Sequence, residues 1–282
     1  MVKLLDNKRK KEINMTYNTL FLDIDGTILL PNHTIMDSTK DAIEQVKKQE
    51  IEVFLATGRP LHEIYELAAE LNIDSFIGHN GAFAIYQSKT IVDAPMNTST
   101  IEYFLETADK HNHEIVVYTS EKNYYTAPAA AATKAFINAF GLKENDLIKP
   151  DIKNEILSMT LININDADLA YYSTDESLYL SPVNVAGINN CYDVIRKNVN
   201  KGEAIKTVLQ RLNKTKENAI AFGDGMNDKE MLQEVGEGFA MGNAHPDLFA
   251  YAKNRTTTVS DSGIFNGLKE LGLVTEENER EG

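Results

Sequence analysis

A short apolar run near the beginning of the chain ends in two aspartates. Leu20-Phe21-Leu22 is typical of a buried strand, and Gly26-Thr27 marks the point where the chain leaves it. Asp23 and Asp25 lie two residues apart, and side chains at that spacing in an extended segment point the same way. We therefore expect the two carboxylates to converge at the carboxyl end of the strand. Carboxylates that close repel each other and favour a shared proton or a metal ion.

Two other interpretations of this segment need no catalytic role. An Asp-Gly pair after a strand is also an ordinary turn. An EF-hand loop uses spaced aspartates too, but it requires glycine at its sixth position and glutamate at its twelfth. Counted from Asp23, the glycine is fourth and the twelfth residue is Thr34. The EF-hand is therefore excluded, whereas a plain turn stays open as the alternative.

The alternation of predicted strands and helices indicates an α/β fold. Strands and helices alternate through residues 16–83, among them a strand at 51–56 and a helix at 60–71, and the alternation returns through residues 191–274. Strands separated by helices of this length pair in parallel, with helices on both faces of the sheet. We expect these two segments to form one catalytic core with a parallel sheet.

The intervening residues 84–190 have a different pattern. They begin with a hairpin around the polar turn 87–89 and continue with short strands mixed with helices. This mixture predicts an inserted α+β module with an antiparallel sheet. Outside both units, residues 1–15 are expected to form a polar extension, with Met15 as an alternative start, and residues 275–282 a disordered tail.

The charge of the chain limits its partners. Its 42 acidic and 28 basic side chains give a net charge of −14, which argues against a nucleic acid or an anionic membrane surface as partner. An anionic substrate would need local cations, and the candidates are a metal ion, Lys201 and Arg59. We find no apolar run near the roughly 20 residues that span a bilayer and no secretory signal at the charged start. The single cysteine, Cys191, fits a reducing cytoplasm.

The segment Thr57-Gly58-Arg59-Pro60 lies between a predicted strand and a predicted helix. A hydroxyl group and free N–H groups at the start of a helix form an anion site. The same Thr-Gly pair is also an ordinary helix cap. The sequence alone leaves both interpretations open.

A glycine-flanked loop, Gly223-Asp224-Gly225-Met226-Asn227-Asp228, follows another predicted strand. Mg²⁺ binds oxygen ligands, usually one or two carboxylates with water and substrate phosphate. Because loops after parallel strands open at the same edge of the sheet, Asp224 can complete a metal site begun by Asp23 and Asp25. As the alternative, Asp228 caps the helix that follows.

Lys201 lies at the start of a predicted helix, where its positive charge opposes the helix dipole. A lysine in this unfavourable position is mild evidence for a functional role. A solvated surface lysine is the alternative.

Together these segments resemble the Cof-type phosphatases of the haloacid dehalogenase superfamily over about residues 17–272. The four motifs of that family occur in order as Asp23-Ile24-Asp25-Gly26-Thr27, Thr57-Gly58-Arg59, Lys201-Gly202 and Gly223-Asp224-Gly225-Met226-Asn227-Asp228. His79-Asn80-Gly81-Ala82 and Met241-Gly242-Asn243-Ala244 are also similar to that family. The resemblance implies a Rossmann-like core with an inserted cap that closes over the site and selects the substrate.

The resemblance also implies a role for each motif residue. Asp23 would be the nucleophile that forms an aspartyl-phosphate, and Asp25 the acid and then the base. Mg²⁺ would be held by Asp23, Asp224 and the backbone carbonyl of Asp25, with Asp228 holding metal-bound water. The phosphate oxygens would be bound by a further set: Thr57, Gly58, Lys201 and Asn227.

The substrate is expected to be a small phosphorylated metabolite. A sugar phosphate is the default hypothesis, with flavin mononucleotide and pyridoxal phosphate as competitors and a sugar phosphomutase as the related alternative. A non-catalytic phospholigand sensor would be expected to lack one of Asp23, Asp25, Lys201 or Asp224, and all four are present. Packing explains the tyrosines of the cap at least as well as ligand binding does, so none is assigned to specificity: Tyr118, Tyr124, Tyr125, Tyr171, Tyr172 and Tyr179.

Overall fold

The computed structural model of the chain describes residues 17–173, 175–183, 185 and 187–276. The predicted polar extension, 1–15, and most of the predicted tail lie outside these residues. Within them, no helix is both long and apolar enough to cross a membrane.

The described chain forms two sheets with helices packed against them. The strands are β1 Thr19–Leu22, β2 Glu52–Ala56, β3 Phe76–Gly78, β4 Phe83–Tyr86, β5 Lys89–Asp93, β6 Glu114–Tyr118, β7 Asn123–Tyr125, β8 Asn145–Leu147, β9 Ser158–Ile162, β10 Leu178–Pro182, β11 Cys191–Arg196, β12 Ala219–Gly223, β13 Glu237–Ala240 and β14 Asn254–Arg255. The α-helices are α1 Asp37–Lys48, α2 Tyr65–Glu70, α3 Thr98–His111, α4 Ala131–Phe140, α5 Lys201–Arg211, α6 Lys229–Gln233 and α7 Gly263–Glu270.

The larger sheet has the strand order β14-β13-β12-β1-β2-β3-β4-β5. Its first six strands pair in parallel, and β4 and β5 pair antiparallel at one edge. Strand β1 lies between β12 and β2, although β12 comes about 200 residues later in the chain. The predicted α/β core with a parallel sheet is confirmed.

Alternation along β1 explains why this sheet is covered on both faces. Leu20 and Leu22 belong to one apolar cluster with residues of α1 and α7, whereas Phe21 belongs to another with residues of α5 and α6. Side chains of successive strand residues point to opposite faces, so the apolar run Leu20-Phe21-Leu22 needs helices on both sides. All four residues of β1 are buried.

The smaller sheet has the order β10-β11-β9-β6-β7-β8 and is antiparallel except for the β7–β8 pair. Helix α3 contacts one face of it, where Ile115, Val117, Met159 and Leu161 are buried in one cluster with Phe104 of the helix. This is the α+β module that the sequence predicts as an insert, and we refer to it as the cap.

The cap, as defined by the strands of the smaller sheet, does not begin and end at the predicted residues 84 and 190. The hairpin β4–β5 pairs with β3 and extends the larger sheet, and β11 pairs with β9 and β10 in the smaller one. A hairpin in sequence does not specify which sheet it joins, because the pairing partner of its outer strand is distant in the chain. The predicted helix at 60–71 is also divided, into a 3₁₀ turn at Leu61–Glu63 and α2.

Candidate active site

The carboxyl ends of β1 and β12 bring two aspartates together. Asp23 directly follows β1 and Asp224 directly follows β12. The two strands are neighbours, and the N–H of Asp23 donates to the carbonyl of Phe222 at 3.0 Å. Parallel pairing therefore places side by side two residues that are about 200 positions apart in the chain.

A third carboxylate completes a compact acidic group. Asp23, Asp224 and Asp228 each contribute an oxygen atom within 4.8 Å of the others. Burial and then the charge of Asp228 raise the pKa of Asp23 well above its usual range, against the opposing effect of Lys201. Burial and then Asp228 also raise the pKa of Asp224, to about 6. Three crowded oxygen donors of this kind fit a hard divalent cation, whose charge would reverse both effects.

Lys201 is enclosed between two of these carboxylates. Its side chain has no exposed area, and its Nζ lies 2.5 Å from Oδ1 of Asp23 and 2.6 Å from Oδ1 of Asp228. Burial alone would lower the pKa of Lys201, but Asp228 and Asp23 outweigh that effect and raise it. The solvated alternative is therefore wrong. Lys201 is a buried cation that contacts the predicted nucleophile.

Asp228 holds the glycine-rich loop in place. Its Oδ2 accepts hydrogen bonds from the N–H groups of Asp224 and Gly225, both at 3.0 Å, while its Oδ1 faces Lys201. A Cβ atom on Gly223 would lie 2.6 Å from the Asp228 side chain, so glycine is required there. The sequence predicts that Asp228 acts behind the metal ligands, whereas its carboxylate lies within the acidic group itself.

The Asp25 side chain does not belong to this acidic group. Its carboxylate is half exposed and accepts two hydrogen bonds from Arg59, one from Nε at 2.8 Å and one from Nη2. The chain turns here rather than extending, because the Ile24 carbonyl accepts from the N–H groups of Ile28 and Leu29. The rule for side chains two residues apart therefore does not apply, and the expected convergence with Asp23 is not seen.

Thr27, inside the first motif, and Asn243, after the last one, contact Asp224 without having been predicted to do so. The Thr27 hydroxyl donates to Oδ1 of Asp224 at 2.9 Å, and Nδ2 of Asn243 donates to Oδ2 of Asp224 at 3.5 Å and to the Gly26 carbonyl at 2.8 Å. Gly26 has a positive φ of 80°, and a Cβ atom there would lie 2.2 Å from Oδ2 of Asp224. Both residues lie in segments that resemble the phosphatase family, and that resemblance is the signal that could have identified them.

The predicted phosphate-binding residues lie along the neighbouring loops. The Thr57 hydroxyl is buried and accepts from the N–H of Arg59 at 3.1 Å, as a cap does. A Cβ atom on Gly58 would lie 3.1 Å from Oδ1 of Asn80, and the same oxygen accepts from Nδ2 of Asn227 at 3.0 Å. The loops after β2, β3 and β12 therefore meet through Gly58, Asn80 and Asn227. Their role in binding phosphate stays a prediction.

Comparison with known proteins identifies close similarity over most of the chain. The family model of the haloacid dehalogenase-like hydrolases matches residues 20–268. The YkrA protein of Bacillus subtilis is 32% identical over 92% of this chain and 100% of its own length. Its name describes a phosphatase and states no substrate. A second Bacillus subtilis protein, 5-amino-6-(5-phospho-D-ribitylamino)uracil phosphatase YcsE, is 28% identical over 88% of this chain and 93% of its own.

A solved structure shares the whole architecture. A protein from Geobacillus kaustophilus matches with a TM-score of 0.84 and 27% identity, over 92% of this chain and 100% of that one. The match therefore includes the cap as well as the core.

Proposed function

Because the chain belongs to the haloacid dehalogenase-like hydrolases, we propose that it hydrolyses phosphomonoesters of small metabolites in the presence of Mg²⁺ through an aspartyl-phosphate. The observation that carries this proposal is the position of Asp23. It is a buried carboxylate at the end of the central strand, in contact with a buried lysine and grouped with two further carboxylates.

The proposed reaction has two balanced steps. In the first, a carboxylate oxygen of Asp23 attacks phosphorus, the ester P–O bond breaks, and Asp25 gives a proton to the leaving oxygen. In the second, Asp25 takes a proton from a water molecule, which attacks the phosphorus of the aspartyl-phosphate and returns the Asp23 carboxylate with inorganic phosphate. Lys201 offsets the charge that gathers on the phosphate oxygens.

The Asp25–Arg59 contact adds a condition to the first step. Both carboxylate oxygens of Asp25 accept hydrogen bonds from the guanidinium of Arg59, so neither is free to contact the leaving oxygen. Arg59 must therefore release Asp25 before the leaving group is protonated. The phosphate of an entering substrate is an alternative anion for Arg59, so substrate binding itself provides the exchange.

The acidic group would hold the metal ion through Asp23 and Asp224, with Asp228 at its side. A bound Mg²⁺ supplies positive charge that lets an anionic nucleophile approach an anionic phosphate. The Asp25 side chain is turned toward Arg59, so only its backbone carbonyl is proposed as a ligand.

The substrate is proposed to be a small phosphorylated metabolite. The relative named for a phosphorylated ribitylaminouracil is consistent with a small, polar monoester. A sugar phosphate remains the first choice, and the phosphates of flavin and pyridoxal remain alternatives. A sugar phosphomutase would depend on a sugar bisphosphate for its activity. A cytoplasmic location stays a prediction from the single buried cysteine.

The test is hydrolysis of an aryl phosphate by purified protein. Activity should vanish after exhaustive chelation and return with Mg²⁺, and full activity after chelation would contradict the proposal.

Asp23→Asn should abolish both turnover and the acid-stable phosphoenzyme. Asp25→Asn should retain phosphoenzyme formation with an activated aryl phosphate but lose more activity with alkyl phosphates, because only the poor leaving group needs the proton. Equal losses on both substrates would argue against the acid–base role.

A further inference from the structure

One face of the cap sheet carries several polar side chains, and two of them, Asn123 and Ser158, contact the core. Strand register places Asn123, Tyr118 and Ser158 in one row across β7, β6 and β9, and Tyr125, Val116, Thr160 and Asp193 in the next row across β7, β6, β9 and β11. The opposite face of the same strands is apolar and lies under α3. On the first face, Val116, Tyr118 and Tyr125 also pack in an apolar cluster with Phe136 of α4. Buried sheet faces are normally apolar, so the polar residues among them need a separate reason.

Two histidines of the core contact this polar face. Nε2 of His62 lies 3.0 Å from Oδ1 of Asn123, and Nδ1 of His79 lies 3.0 Å from Oγ of Ser158. Nδ2 of Asn123 also donates to Glu63 at 2.9 Å. The joint between core and cap is therefore built from polar side chains on both sides.

Three buried polar atoms at this joint have no hydrogen-bond partner. They are Nδ1 of His62, Nε2 of His79 and the hydroxyl of Tyr125, and among the described residues they are the buried side-chain polar atoms left without one. The side chain of His62 is 5% exposed, and the residues His79 and Tyr125 are 3% and 0% exposed. A buried polar atom without a partner is unfavourable, so three at one joint indicate groups that bind something else.

The three atoms belong to one neighbourhood. Burial and then the proximity of His62 lower the pKa of His79 to about 3, and burial and then the nearby Glu63 raise the pKa of Tyr125. Glu63 lies 3.5 Å from Nε2 of His62. His62 thus contacts both Asn123 and Glu63, Tyr125 lies near Glu63, and His79 lies near His62.

This neighbourhood adjoins the loops of the proposed phosphate site. His79 immediately precedes Asn80, which contacts Asn227, and the N–H of His79 donates to the Arg59 carbonyl at 3.1 Å. His62 lies in the 3₁₀ turn that follows the Thr57–Arg59 segment. The side of these loops that carries His62 and His79 is therefore the side that meets the cap.

The charges nearby disfavour an anionic leaving group. The carboxylate of Glu63 is at the joint, Asp193 lies on the same face of the cap sheet, and His79 is neutral. The two guanidinium groups in the vicinity are engaged elsewhere. Arg196 donates to the carbonyls of Ala94, Pro95 and Leu157, and Arg59 donates to Asp25 or, in the proposed reaction, to the phosphate itself.

We propose that His62, His79 and Tyr125 determine specificity by hydrogen bonding to an uncharged, hydroxyl-rich leaving group, such as that of a sugar or alditol monophosphate. This inference rests on the phosphatase function proposed above. Both ring nitrogens and the tyrosine hydroxyl can exchange donor and acceptor roles with hydroxyl groups, which a polyol supplies in number. The cap must open to admit the substrate, because the His62–Asn123 and His79–Ser158 contacts close the joint.

Tyr125→Phe tests the proposal most sharply, because it removes one unpartnered hydroxyl and no existing hydrogen bond. The measurement is a selectivity ratio: kcat/KM for a hexose or alditol monophosphate divided by kcat/KM for an aryl phosphate. We expect this ratio to fall about tenfold, which corresponds to the loss of one neutral hydrogen bond. The matched control is Tyr172→Phe, on the α3 side of the cap, whose hydroxyl bonds to Nδ1 of His113 at 2.9 Å. That variant should lower thermal stability and leave the ratio unchanged.

The unmodified protein is also assayed with two substrates whose leaving groups are anionic: a hexose bisphosphate and a phosphorylated carboxylic acid. We expect both to be poorer substrates than the uncharged monophosphates. An unchanged ratio in Tyr125→Phe, or a preference for the anionic leaving groups, overturns the proposal while leaving the phosphatase assignment intact. Absence of Mg²⁺-dependent aryl phosphate hydrolysis overturns the proposed function instead, and this inference with it.

Discussion

Lys201 separates two carboxylates that would otherwise repel each other inside the protein. Its ammonium group contacts Asp23 and Asp228, and neither it nor Asp228 has any exposed side-chain area. Removing one partner of a buried charge pair leaves the other uncompensated and is strongly unfavourable. The same lysine thus stabilises the folded site and offsets charge on the proposed substrate.

Lys201→Ala should therefore reduce both activity and stability. We expect catalytic efficiency to fall about a hundredfold and the free energy of unfolding of the chelated protein to fall by about 3 kcal/mol. Denaturant unfolding and aryl phosphate kinetics measure the two effects. Lys206→Ala is the control, because Lys206 is on the same helix but its side chain is 42% exposed and its ion pairs with Glu203 and Glu234 should contribute little. Similar losses in both variants would contradict the buried role of Lys201.

His79 should make the protein sensitive to acid. Its pKa in the folded state is about 3, below the 6.5 of an unperturbed histidine. Between these values the unfolded chain binds a proton that the folded protein does not. Stability is therefore lost as pH falls from about 6.5 toward 3, by up to about 4 kcal/mol from this residue.

The variant His79→Asn should flatten this acid dependence, as measured by denaturant unfolding across that pH range. Asparagine tolerates the positive φ of 52° at this position. His33→Asn is the matched control, because His33 also has a positive φ, of 63°, but is exposed. An acid dependence that persists in His79→Asn to the same extent as in the control would refute the assignment.

Among the elements, those set by local pattern were the most predictable. Strand β1 was evident from its apolar run, and the helix that begins at Lys201, α5, was also predicted, since each signal is contained within the element itself. Which sheet β4, β5 and β11 join was not predictable, because it depends on partners distant in sequence. At the site, the meeting of Asp23 with Asp224 followed from parallel topology, whereas the Asp25–Arg59 contact depends on a turn that the residue spacing does not reveal.

Helix α7 packs so closely on the core sheet that Gly267 has no room for a methyl group. A Cβ atom there would lie 2.5 Å from the ring of Phe222, which stacks on Phe239 with ring centroids 4.6 Å apart. Alanine normally stabilises a helix interior relative to glycine by about 0.5–1 kcal/mol. We expect Gly267→Ala instead to destabilise the protein by about 1–2 kcal/mol, because overpacking of the core outweighs that gain. Glu270→Ala, at an exposed position of the same helix, should change the free energy of unfolding by less than about 0.5 kcal/mol. A stabilised Gly267→Ala would show that α7 can shift to admit the methyl group.

At the scale of the whole molecule, the carboxylate of Glu63 joins core and cap beside the two histidine contacts. Oε1 of Glu63 accepts from Nδ2 of Asn123 at 2.9 Å and from the N–H of Lys143 at 3.1 Å, and its side chain is 9% exposed. Nearby, Lys143 also pairs with Glu66, but that ion pair is largely exposed and should contribute little. Glu63 is therefore the residue of this joint whose loss should most favour an open cap.

Glu63→Ala should loosen the cap without removing the proposed nucleophile or metal ligands. We expect faster hydrogen exchange at the amide of Lys143, which loses its acceptor, and at the amides of β7. Because closure excludes water and positions the leaving group, KM for preferred substrates should rise several-fold and selectivity between them should narrow, whereas Mg²⁺ should still be required.

Glu66→Ala provides the comparison, with exchange and selectivity close to those of the unmodified protein. If Glu63→Ala leaves the Lys143 amide as protected as before, the joint is held by the histidine contacts rather than by this carboxylate. If the variant instead loses its Mg²⁺ requirement, the division of labour between a catalytic core and a selecting cap is wrong.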